Sequence, residues 1–86
     1  MRSLLAVGCV LIGAGPAAAQ SCGEAWFQRN NIIKQAGYCF TTPRAIEAFG
    51  NNGCLYDNLA DVPLSARQRA AVEEIRSFEK TRGCTP

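Results

Sequence analysis

The chain has 86 residues, is 48% hydrophobic and 19% charged, contains no histidine and carries a net charge of +2. That length holds one domain, and so small a charge excess gives no electrostatic case for nucleic acid or an anionic membrane as partner. Without imidazole, the commonest general base and metal ligand is missing.

The first nineteen residues read as an export signal. Arg2 supplies the positive start, LLAVGCVLIGAG the apolar run, and Ala17 and Ala19 the small residues of a cleavage site after Ala19. The apolar run is too short for a membrane-spanning helix, which needs about 20 such residues. A lipid anchor on Cys22 is disfavoured, because AQSC lacks a large aliphatic residue three positions earlier, and AVGC, ending at Cys9, comes too early. After cleavage the mature domain is 20–86. Nine basic residues less Arg2 leave eight against seven acidic ones, a net charge of +1. Of five cysteines, Cys9 departs and Cys22, Cys39, Cys54 and Cys84 remain.

Three helices follow in chain order. Ser21 and Glu24 form a capping box, which starts the first helix at Cys22; it runs to Ala36 and stops at Gly37. Trp26, Ile33 and Ala36 recur at helical spacing, widened by Phe27 and Ile32. Thr42 caps a second, two-turn helix with Pro43 at its first position, Gly50 at its end, and Ile46 and Phe49 on one face. The stretch NNGCLYDNLADVP is an irregular connection that Leu55, Leu59 and Val62 can pin to the core, with Tyr56 the aromatic expected at the surface. Ser65 and Gln68 cap the third helix, which ends at Gly83, with Leu64 as a staple before the cap. Ala71, Ile75 and Phe78 make its apolar stripe, with Val72 on the flank. There is no strand-like alternation, so the fold class is all-α: a small three-helix domain stapled by two disulfides.

The staples follow from size and compartment. A core in a chain this short rarely supplies more than about 3–5 kcal/mol, and an exported chain with an even cysteine count reads as a disulfide framework. A continuous first helix holds Cys22 and Ala36, its two ends, about 20 Å apart, whereas bridged Cα atoms lie within about 7 Å, so a bridge from Cys22 to Cys39 is strongly disfavoured. Two connectivities survive. The nested one joins Cys22 to Cys84 and Cys39 to Cys54; the crossed one joins Cys22 to Cys54 and Cys39 to Cys84. Nested is the simpler path, since crossing makes the short second helix span the length of the first. Antiparallel helices in the nested register bring Arg29 within a turn of Glu79, as a partly buried ion pair. Asn30 is expected to satisfy backbone groups near the Gly37 turn; for Arg29 and Asn30 alike, a solvated helix face and contact with a ligand stay open as alternatives.

The run RN-N-I-I, then GYCF, a short helix ending in Phe49, LS, and a final IRSFE resembles the YARHG domain, and more closely its small four-cysteine exported bacterial relatives. Arg29, Asn30, Ile32, Gly37, Tyr38, Phe40 and Phe49 fall on the motif's positions. The five letters that name the family read IKQAG here, so only the glycine is kept and no role of that histidine carries over. The resemblance implies an extracytoplasmic helical module, sometimes attached to envelope-associated proteins, with no assigned catalytic activity.

Chemistry is otherwise sparse. The four cysteines are too far apart for a C-x-x-C redox motif or a zinc site. Glu73 and Glu74 point about 100° apart on a helix and do not converge. Asp57, Asn58 and Asp61 lack the glycine and closing glutamate of a calcium loop and read as a capped turn. Arg67, Arg69, Arg76 and Arg82 scatter around the third helix, with intrahelical pairing to Glu73 and Glu79. No catalytic residue, metal ligand or cofactor site emerges, and the domain is expected to be a monomer in the periplasm or outside the cell. The expected function is a non-enzymatic accessory or binding module of the cell envelope, its partner an unknown envelope component or protein. A secreted inhibitor or toxin-like effector is the reading from a different class, and a protruding loop from Tyr56 to Pro63 would favour it.

Overall fold

A computed structural model describes residues 21–85. The export signal and its cleavage site lie outside these described residues. Helix α1 spans Cys22–Gln35, α2 Pro43–Phe49 and α3 Ala66–Arg82, with a single 3-10 turn at Leu59–Asp61 between the last two. The domain is all-α. One isolated parallel bridge, Tyr38 to Tyr56, is the only β-type pairing among the described residues.

Each helix begins where its side chains satisfy the free amides of its first turn. The Ser21 hydroxyl accepts from the Glu24 amide at 3.1 Å while the Glu24 carboxylate accepts from the Ser21 amide at 2.9 Å. Ser65 and Gln68 repeat the reciprocal pair at α3, at 3.1 and 2.8 Å. Thr42 caps α2 by accepting from the Ala45 amide at 3.3 Å, with Pro43 at the position where no amide is needed. The C-termini of α1 and α3 share one geometry. The Tyr38 amide returns to the Ile33 carbonyl and the Gly37 amide to Lys34; likewise Cys84 returns to Glu79 and Gly83 to Lys80. These are Schellman turns, and they require the positive φ of Gly37 (103°) and Gly83 (71°).

Helices α1 and α3 lie antiparallel and form the main packing interface, with α2 laid against α1. Two ties fix that register: the disulfide from Cys22 to Cys84 and the ion pair from Arg29 to Glu79. The core is small. Ile33, Phe40, Ala45 and Val72 are buried, with Trp26, Ile32, Tyr38, Phe49 and Leu64 packed around them. Ala25 and Val62 are buried as well. Phe49 is the hub of the aromatic cluster, its ring centroid 4.9 Å from Phe27, 5.3 Å from Phe40 and 5.9 Å from Trp26.

Several side chains sit differently from what the sequence suggests. Val72, expected on the flank of α3, is its most deeply buried apolar residue, while Ala71, Ile75 and Phe78 are half-buried. In α2 the buried residue is Ala45, which joins the core cluster, and Ile46 is 43% exposed. Of the three apolar residues expected to pin the connection, Val62 is buried, Leu59 is partly covered at 37% exposure and Leu55 is 74% exposed. Tyr56, not Leu55, turns inward. Its ring covers Gly37, and its carbonyl accepts from the Cys39 amide at 2.8 Å.

Candidate functional site

Of the residues singled out in the sequence, Arg29, Asn30, Gly37, Tyr38 and Phe40 lie along α1 and the segment that leads from its end to α2, Phe49 ends α2, and Glu79 reaches across from α3. Arg29 and Asn30 lie in the middle of α1. Cys39 and Cys54, with Cα atoms 5.1 Å apart, close the loop around α2. Cys22 and Cys84, 5.5 Å apart, join the start of α1 to the end of α3. The connectivity is therefore the nested one.

Arg29 meets Glu79 in a two-pronged pair, Nε to Oε1 at 2.7 Å and Nη2 to Oε2 at 3.0 Å. The side chains retain only 14% and 10% exposure. Two parallel charge-assisted bonds in a poorly solvated place make a directional clamp between the helices. Glu79 is bound twice, since its backbone carbonyl also takes the Cys84 amide at 2.8 Å. One residue thus aligns the ion pair and presents the cysteine of the long staple. The expected intrahelical role for Glu79 is replaced by this inward one. Among the α3 arginines, Arg82 lies over the Phe78 ring at 4.8 Å and Arg69 donates to the Leu64 carbonyl at 3.2 Å.

Asn30 does not serve the Gly37 turn. Its Nδ2 donates to the Trp26 carbonyl, one helical turn earlier, at 2.9 Å. A short carboxamide reaches the carbonyl four residues back more readily than the end of its helix, and the Schellman bonds already satisfy that end. The residue that handles backbone groups beyond the turn is Asn51, from the irregular connection after α2. Its Oδ1 accepts from the Phe40 amide at 2.8 Å and its Nδ2 donates to the Phe40 carbonyl at 3.0 Å. The carboxamide imitates a paired strand and holds Phe40 in the core. An asparagine in the GNNG stretch, where turns use such side chains, is the only sequence signal for it.

A cleft of about 190 Å³ opens beside this framework. Trp26, Arg29, Asn30, Tyr38 and Phe40 line it, with Thr41 at the start of the segment leading to α2. Arg44 of α2 lies over the Trp26 ring, 3.8 Å from its centroid, a cation–π contact that holds the indole plane. Tyr38 meets Phe40 edge to face at 5.3 Å. Four of the singled-out residues, Arg29, Asn30, Tyr38 and Phe40, thus share one surface. Phe49 stacks behind Phe40, Glu79 stands behind Arg29, and Gly37 makes the turn that brings Tyr38 round.

The sequence model of the YARHG domain matches residues 13–80. The chain belongs to the YARHG domain family. No curated protein and no solved structure matches it. YARHG domains are extracellular-type modules, and two disulfides accord with an oxidising compartment. The match takes in Cys22, Cys39 and Cys54 and stops short of Cys84. The position of the family's naming letters, Ile33 to Gly37 here, is the last turn of α1 and its exit. Gly37 is the one letter retained, and it is the one the geometry demands. It has a φ of 103°, and a Cβ placed on it would lie 3.1 Å from the Tyr56 ring.

Among the described residues no group of three or more His, Cys, Asp or Glu side chains could hold a metal ion, and no helix is long and apolar enough to cross a membrane. Asn58 caps the 3-10 turn by accepting from the Ala60 amide at 3.0 Å, the capped turn expected of the Asp57–Asp61 stretch.

Proposed function

We propose that this YARHG domain is an exported, non-enzymatic module that binds a component of the cell envelope. The observation that carries the reading is how its polar motif is used. Arg29, Glu79 and Asn51 are engaged in holding helices and turns in place, and the family residues converge on a cleft with aromatic walls. A rigid scaffold presenting a concave, mostly apolar surface with a few polar groups is the usual form of a binding site. Catalysis would call for an acid–base or nucleophile pair in mutual reach, whereas the acidic residues Glu73 and Glu74 lie exposed on adjacent positions of α3. Export rests on the signal-like first nineteen residues, and periplasmic or extracellular residence on that signal together with the disulfides.

The test is retention of the oxidised, processed protein on purified cell-wall sacculi. Saturable retention, reversed by soluble wall fragments, is the expected result. No retention, combined with inhibition of a protease panel, would replace this reading with that of a secreted inhibitor.

A further inference from the structure

Asn30 is buried, at 6% exposure, yet its carboxamide is only half used. The bond from Nδ2 to the Trp26 carbonyl sets the orientation, because the flipped amide would oppose two oxygens. Oδ1 is thereby left without a hydrogen-bond partner among the described residues. Leaving a buried acceptor unpaired is costly, and native proteins contain few such groups. An apolar side chain of the same size would fill the position without that cost and with better helix propensity.

Asn30 lines the cleft, and so does Arg29. Glu79 engages Nε and Nη2 of Arg29, while Nη1 has no partner among the described residues. The cleft therefore sets an acceptor lacking a donor beside the rings of Trp26, Tyr38 and Phe40, and Arg29, which has one nitrogen to spare, borders both this cleft and a second one shared with Glu79 and Cys84. At about 190 Å³ it is smaller than a drug-sized pocket, which spans about 300–1,000 Å³. It suits one group of a larger molecule.

We infer that this cleft binds a secondary amide, with the amide N–H on Asn30 Oδ1, its carbonyl toward Arg29 Nη1 and its acyl substituent against the aromatic wall. A neutral CO–NH unit supplies both missing partners at once. A carboxylate would satisfy Arg29 and leave Asn30 facing another acceptor. The inference rests on the binding-module reading and gives it a site. Two sources carry this chemistry: the acetamido group of an N-acetylated amino sugar and the peptide bond.

The experiment is a titration of the ¹⁵N-labelled, oxidised protein with N-acetylglucosamine, with N-acetylalanine methylamide, and with glucosamine as the control lacking an acyl group. The Asn30 side-chain amide and the Trp26 indole N–H are the reporters. Saturable shifts of both with at least one acylated probe, and none with glucosamine, are expected; the probe that acts identifies the source. Asn30→Leu should weaken that binding by about ten-fold or more. Leu59→Trp, at a cleft-lining position that is 37% exposed, should obstruct the cleft with Asn30 intact, and it decides the matter if Asn30→Leu fails to fold. No saturable shift with either acylated probe, or equal shifts with glucosamine, would overturn the inference and leave Oδ1 to a water molecule. Sacculus binding without probe binding sinks the site alone. Probe binding without sacculus binding sinks the envelope reading and leaves the site standing.

Discussion

Arg29 and Glu79 are two charges with little solvent around them, so each depends on the other. Removing one partner from a buried pair costs about 3–5 kcal/mol, because the remaining charge is stranded; with some solvent left at this site, the lower end applies. Arg29→Met and Glu79→Gln should each lower the unfolding free energy by about 3 kcal/mol in urea melts. The double variant Arg29→Met/Glu79→Met should lose less than the sum of its singles, with a coupling of about 1–3 kcal/mol. Additive losses would mean the two residues act separately. Asn51→Ala removes both bonds to Phe40 and should cost about 1–3 kcal/mol by the same measurement. A loss no greater than that of an exposed asparagine, such as Asn52→Ala, would deny Asn51 its strand-like role.

At the scale of the element, the ends of the helices were legible because capping is local. Ser21 with Glu24 and Ser65 with Gln68 meet their own backbones three residues away, with no help from the rest of the chain. The inward faces were less legible. A stripe of apolar residues covers an arc, and which part of it touches a neighbour depends on how closely that neighbour approaches. Hence Val72 is buried more deeply than Ile75, and Ala45 rather than Ile46 faces inward. Ile33→Ala, at 3% exposure, should destabilise by about 2–5 kcal/mol, and the same change at the half-exposed Ile46 by far less. Equal losses in thermal melts would overturn this assignment of faces. Gly37→Ala should cost about 1–2 kcal/mol from its left-handed backbone, with further loss from the Tyr56 ring that it would crowd.

For the whole molecule, the core is small enough that the disulfides are expected to carry much of the stability. No large side chain among the described residues is completely buried, and the two disulfides close loops with sequence separations of 62 and 15. Loop entropy assigns such closures about 4 and about 3 kcal/mol as upper values, comparable with the total stability expected of a domain this small. Reduction should therefore abolish the cooperative unfolding transition followed by far-ultraviolet circular dichroism at room temperature. A reduced protein that keeps its full transition would show the apolar core to be sufficient. Replacing Cys22 and Cys84 together by serine should be the more damaging of the two deletions, since that bridge also holds the α1–α3 register.

Helix number, cap positions, the presence of two disulfides and the pairing of Arg29 with Glu79 could all be read from residue order. Each depends on neighbours along the chain or on a register that a helix's fixed rise makes calculable. The nested connectivity could be preferred from that order, but the fold alone selected it. Tertiary structure also decided that Asn51 clasps Phe40, that Tyr56 covers Gly37 while Leu55 faces water, and that Asn30 keeps an unpaired oxygen beside an aromatic cleft. Those outcomes depend on distances between segments brought together through an irregular connection, whose path no periodicity encodes.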